Sequence, residues 1–179
     1  MKIFLDTADT AIIKSQFLTG LIDGVTTNPT LIRVSNRYPE DVYREISDIG
    51  VRDISMEVYG SAQAMFEEGC RLFEMFGDVA TIKVPMTRDG LIACKELNRR
   101  SIRTNVTLIF TIPQAILAAK AGATYVSPFV GRLDDQQIAG LEVVRGISGL
   151  YCAKGIRTQI LSASIRTCLL YTSDAADEP

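Results

Sequence analysis

The chain predicts an α/β protein, a (β/α)8 barrel with about seven of its strands present. Short β-branched runs alternate with longer helical patterns along most of the 179 residues, the mark of βαβ units and a parallel sheet. Polar residues recur at the C-terminal ends of those runs: Asp6, Asn28, Glu57, Lys83, Thr107, Arg132 and Ser164. A barrel keeps its reactive groups at that end. No GxGxxG or GxxxxGK(S/T) follows any run, which argues against a nucleotide-binding doubly wound sheet.

Taken in order, the runs are Lys2–Asp6, Ile22–Thr27, Ile54–Tyr59, Ala80–Pro85, Thr104–Ile109, Tyr125–Val130 and Gln159–Ser162. Each is rich in residues that fit a pleated, packed surface. Between them, Ala62–Phe76 has helical periodicity, with Ala64, Met65, Leu72 and Phe73 available for a buried face. Pro113–Ala121 is a second helix, stopped by Gly122. Arg99-Arg100-Ser101-Ile102-Arg103 reads as a solvated helix end.

Composition narrows the function. Hydrophobic residues make up 47% and charged residues 22%, with a net charge of −2. That is ordinary for a soluble domain and gives no electrostatic case for nucleic acid or an anionic membrane. No segment is apolar for long enough to span a bilayer, and the N-terminus enters a strand without a signal-peptide core. The four cysteines, Cys70, Cys94, Cys152 and Cys168, form no CxxC pair and read as reduced thiols of a cytoplasmic protein. There is no histidine. This removes Ser-His-Asp and Cys-His catalysis and disfavours a catalytic zinc site.

Lys83 is the most informative residue. It lies in Thr81-Ile82-Lys83-Val84-Pro85, an apolar, β-branched run. Lysines are rarely buried unless paired or functional. Burial favours the neutral amine, and a neutral amine attacks a ketone to form a Schiff base. An edge strand with the ammonium in solvent is the alternative. The other residues also have plain readings. Asp6 could cap the following helix. Asn28 before Pro29 could be turn chemistry. Glu57 could be a surface charge, Thr107 mere β-propensity, and Arg132 an ion partner of Asp134 or Asp135.

Six segments in order carry a resemblance: Phe4-Leu5-Asp6-Thr7-Ala8-Asp9, Gly24-Val25-Thr26-Thr27-Asn28-Pro29-Thr30, Ile82-Lys83-Val84-Pro85, Asn105-Val106-Thr107-Leu108, Ser127-Pro128-Phe129-Val130-Gly131-Arg132 and Ser162-Ala163-Ser164-Ile165-Arg166. Over Met1 to Thr167 the chain resembles the transaldolase family, in its small single-domain branch that also holds fructose-6-phosphate aldolases. The resemblance implies an incomplete TIM barrel of the class I aldolase type, with the last βα unit missing. It implies Schiff-base chemistry without cofactor or metal. Lys83 matches the imine-forming lysine, and Asp6 the acid/base for carbon–carbon cleavage. Glu57 and Thr107 match the pair that positions a catalytic water. Asn28 and Asn105 match residues that bind donor hydroxyls, and Thr27 and Phe129 complete the donor site. Arg132, Ser164 and Arg166 match the phosphate group.

The implied reaction is transfer of a dihydroxyacetone unit between sugar phosphates of the pentose phosphate pathway: fructose 6-phosphate, sedoheptulose 7-phosphate, erythrose 4-phosphate and glyceraldehyde 3-phosphate. The resemblance also implies that intact relatives are homo-oligomeric rings. Glu57 and Phe129 favour transaldolases over aldolases, which tend to carry Gln and Tyr. A fructose-6-phosphate aldolase that releases free dihydroxyacetone is one alternative, and a non-catalytic sugar-phosphate-binding barrel fragment is another. Residues 168–179 match nothing in the family and resemble translated adapter DNA, a disordered acidic tail being the alternative. On that reading the chain's own activity is doubtful.

Overall fold

The computed structural model describes residues 1–166. Seven parallel strands, β1 (Phe4–Asp6), β2 (Gly24–Thr26), β3 (Ile54–Glu57), β4 (Ala80–Pro85), β5 (Thr104–Ile109), β6 (Tyr125–Pro128) and β7 (Gln159–Ile160), form one sheet in sequential order. Helices α1 (Thr10–Phe17), α2 (Pro29–Val34), α3 (Pro39–Ile49), α4 (Ala62–Phe76), α5 (Arg88–Arg99), α6 (Ile112–Lys120), α7 (Val130–Asp135) and α8 (Gly140–Lys154) connect them. The tail from Cys168 onward, and Thr167 before it, lie outside the described residues.

The sheet is curled. In a flat sheet the segment before β1 and strand β6 would be about 24 Å apart, at about 4.8 Å per strand. Instead Lys2 Nζ donates to the Tyr125 hydroxyl at 2.9 Å, and Phe4 packs edge-on against Tyr125 with ring centroids 5.8 Å apart. The curl, with helices on its outer face, is an incomplete (β/α)8 barrel in which β1 and β7 are the outermost described strands.

The central strands match the sequence reading. Ala80–Pro85 and Thr104–Ile109 are strands over those same residues. Both are buried between neighbours and helices, so sterics and burial agree along their whole length. The other five strands are shorter than their β-rich runs: Phe4–Asp6 for Lys2–Asp6, Gly24–Thr26 for Ile22–Thr27, Ile54–Glu57 for Ile54–Tyr59, Tyr125–Pro128 for Tyr125–Val130, and Gln159–Ile160 for Gln159–Ser162. Among the described residues, β1 and β7 each lack a ladder partner on one side.

Helix caps follow local chemistry. Asp9, not Asp6, caps α1, accepting from the amides of Ala11 and Ile12. Thr111 and Gln114 form a reciprocal capping box on α6, which starts at Ile112, with Pro113 in its first turn. α4 spans Ala62–Phe76 as read, but Ala64 is exposed. Its buried face is Met65, Gly69 and Leu72, because the four-residue step brings Gly69 onto Ile82 and Leu97.

Arg103 also departs from expectation. It does not end a solvated helix. Its guanidinium pairs with buried Asp53 at 2.7 Å. Asp53 accepts as well from Thr81 Oγ1 at 2.7 Å and from the Tyr125 hydroxyl at 2.8 Å. This network fills the barrel floor, at the end opposite the strand C-termini, and satisfies a carboxylate that is only 5% exposed.

Candidate active site

Parallel register sets out the site. Glu57 pairs with Lys83, and Lys83 with Asn105, along one row of β3, β4 and β5. One row lower, Asp6, Thr26 and Ser55 align. Ser55 and Glu57 are two residues apart, so both rows face the same interior. Each strand's alternation therefore sends apolar residues to the helices and polar ones to the barrel axis.

Lys83 is 6% exposed. Its Nζ donates to the Thr27 carbonyl at 3.0 Å and lies 3.2 Å from Glu57 Oε2. The sequence leads one to expect an apolar wall around this amine. The structure supplies a carbonyl and a carboxylate, because β2 and β3 end their inward faces in polar groups. Glu57 is thus no surface charge. The Thr27 hydroxyl bonds the Ser55 carbonyl at 3.0 Å and lies 3.4 Å from the Tyr43 hydroxyl.

Asn105 is fully buried and clamped. It donates from Nδ2 to Ser55 Oγ at 3.2 Å and accepts at Oδ1 from Ser127 Oγ at 2.8 Å. Ser55 and Ser127 were not singled out in the sequence. Their signal was present, since Ser55 precedes Glu57 by two and Ser127 precedes Phe129 by two.

Thr107 lies two residues beyond Asn105, at a shift of register between Val106 and Ile109. Leu108 there adopts φ 63°, left-handed and strained for a branched residue. Irregularities of this kind re-aim side chains. Thr107 Oγ1 is buried without a hydrogen-bond partner. Such a group costs about 1–3 kcal/mol, so β-propensity alone does not account for it.

The remaining residues divide. Asp6 ends β1 and accepts from Thr26 Oγ1 at 2.9 Å. Asn28 caps α2, with Oδ1 accepting from the Leu31 amide at 3.0 Å, which leaves its Nδ2 to donate inward or to solvent. The Arg132 guanidinium sits 5.0 Å over the Phe129 ring, and Phe129 tilts against Phe110. It is Arg166, not Arg132, that ion-pairs with Asp135. Arg166 also donates to Ser164 Oγ at 3.2 Å. Gly131 allows this closeness: a Cβ there would meet the Ser164 carbonyl at 2.2 Å. Arg132 and Arg166 consequently share one cavity of about 440 Å³.

Residues 3–176 match the family model described as transaldolase/fructose-6-phosphate aldolase, a span that extends into the segment from Cys168 that the sequence reading sets apart. The chain belongs to the transaldolase/fructose-6-phosphate aldolase family. Its relatives include a "Probable transaldolase" of Caulobacter vibrioides (strain NA1000 / CB15N), 52% identical over 93% of this chain and 76% of the relative. Another, of Caulobacter sp. (strain K31), is 50% identical over 98% and 81%. A third, of Geobacter sulfurreducens, is 50% identical over 93% and 78%. Among solved structures, a Coccidioides immitis protein described as a "putative fructose-1,6-biphosphate aldolase" superposes with TM-score 0.57 at 16% identity, over 90% of this chain and 64% of that one. That likeness bears on the barrel fold alone. Among the described residues, no helix of this transaldolase-family chain is long and apolar enough to cross a membrane.

Proposed function

We propose that the chain is a transaldolase, moving a dihydroxyacetone unit from a ketose phosphate to an aldose phosphate through an imine on Lys83. The observation that carries this reading is the buried Lys83 amine held between the Thr27 carbonyl and Glu57, with the orphaned Thr107 hydroxyl on the neighbouring strand.

The chemistry follows from these groups. Glu57 accepts a proton from the Lys83 ammonium. The free amine attacks C2 of the ketose, and the carbinolamine loses water to give a protonated imine. Glu57 and the Thr107 hydroxyl hold that water, which gives the unsatisfied hydroxyl its partner. Asp6 takes the proton from the C4 hydroxyl, and the C3–C4 bond breaks. The bonding electrons flow into the imine, leaving an enamine, and the aldose phosphate departs. The enamine then attacks the aldehyde of an incoming aldose phosphate, Asp6 returns its proton to the new hydroxyl, and hydrolysis frees Lys83. Asn28 and clamped Asn105 bind the donor hydroxyls. Arg132, Arg166 and Ser164 hold the phosphate, for which forked guanidinium donors are well suited.

Phe129 favours transfer over aldolase release. Having no hydroxyl, it cannot protonate the enamine, so the enamine survives until an acceptor arrives. The test is fructose 6-phosphate with and without erythrose 4-phosphate. The reading expects sedoheptulose 7-phosphate with acceptor and little free dihydroxyacetone without it. Rapid release of dihydroxyacetone in the absence of acceptor would favour the aldolase.

A further inference from the structure

The Schiff-base cycle releases one water when the imine forms and consumes one when it is hydrolysed. Both events occur while a sugar phosphate fills the barrel mouth, so water needs another way past the bound sugar. A cavity of about 550 Å³ lies between α2, α3, α4 and the end of β3. At about 30 Å³ per molecule it has room for several waters. Neither Lys83, Asn105, Thr107, Phe129 nor Arg132 lines it.

We infer that this side cavity is the inlet and outlet for the catalytic water, with Glu57 at its inner end. Four observations support this. Glu57 is in the cavity wall and also 3.2 Å from Lys83 Nζ, so one carboxylate touches both spaces. The outer wall is exposed at Thr30 and Arg33, whereas Tyr43 in the inner wall is 4% exposed, which gives a passage with an open and a closed end. The wall is more apolar than polar, but Glu40, Tyr43, Glu57 and Glu68 give it carboxylates and a hydroxyl that can still accept from water. Only one cation lines it, Arg33, and Glu40 and Glu68 are already engaged by Arg71. No pair of guanidiniums converges there as Arg132 and Arg166 do elsewhere, so a phosphate has little to hold it and water is the fitting occupant.

The inference rests on the imine reading, and the test separates the two. The full chain is mixed with fructose 6-phosphate in H2¹⁸O. Imine formation is timed by rapid borohydride quench, and entry of ¹⁸O into the ketone by mass spectrometry. Thr30→Trp and Arg33→Trp each place a large side chain in the outer wall at an exposed helix position. If water uses this cavity, expelled ¹⁶O water is trapped and returns to the same carbon. Exchange per imine formed should then fall about tenfold, with imine formation within about twofold of the parent. A general disturbance of the fold would slow both together. If either well-folded variant, checked by circular dichroism, keeps the parent's exchange per imine, the inlet is refuted and the imine reading stands. If the parent gives no borohydride adduct, both fall.

Discussion

On the proposed mechanism, Thr107 trades stability for chemistry at a single residue. Its hydroxyl is buried and unpartnered, so removing it should stabilise the fold. Thr107→Val, nearly equal in shape, is expected to raise stability by about 1 kcal/mol, read from denaturant midpoints, while slowing imine formation at least about tenfold. Unchanged imine formation would show that the hydroxyl serves no water. Phe129→Tyr supplies a phenol where the wild-type ring has none, and is expected to raise donor cleavage without acceptor. Glu57→Gln removes the group proposed to take the Lys83 proton, so it should slow both reactions while moving the ratio of release to transfer in the same direction. An unchanged ratio of release to transfer in both variants would remove Phe129 and Glu57 as determinants of reaction type.

At the scale of elements, the buried strands were legible and the polar interior less so. β4 and β5 could be read to the residue because β-branched runs fit both their flanks. The face of α4 was misplaced because Ala64 looked apolar, yet Gly69 is what lets the helix approach Ile82 and Leu97. A glycine contributes nothing to a hydrophobic pattern. Asp53 was missed for a related reason: nothing local marks an aspartate whose partners, Thr81, Arg103 and Tyr125, come from three other strands or their approaches. Asp53→Ala would strand Arg103 and two hydroxyls on the barrel floor. A loss of about 3 kcal/mol is expected, measured by urea unfolding. A loss below about 1 kcal/mol would mean that the floor is held by packing alone. The pairing of Glu57 and Thr107 around a water, as proposed, was reachable only through resemblance, since neither spacing nor composition reveals an orphaned hydroxyl beside a strained Leu108.

Across the whole molecule, burial of neutral phenols and a thiol sets an alkaline limit. Burial raises Tyr43 from its ordinary 10.0 to about 12 and Cys94 from 9.0 to about 11. Both groups keep their protons longer in the folded state than in the unfolded one. Their contribution is therefore complete below about pH 9 and is lost as pH rises towards 11–12. The melting temperature should hold to about pH 9 and fall above it. Cys152, which is exposed, should react with a maleimide in the native state, whereas Cys94 should do so only on unfolding. Native labelling of Cys94 as fast as Cys152 would contradict the packing of α5 on the sheet.

The central claim is that Lys83 is the covalent nucleophile, and borohydride reduction in the presence of fructose 6-phosphate tests it most directly. Trypsin should then yield the peptide Leu72–Arg88, uncut at Lys83 and heavier by a reduced sugar unit. Lys83→Met, which keeps the stem and removes the amine, should abolish that adduct and lower transfer by well over about tenfold. No adduct, an adduct on another lysine, or a Lys83→Met variant whose transfer stays within about tenfold of the parent would contradict the account.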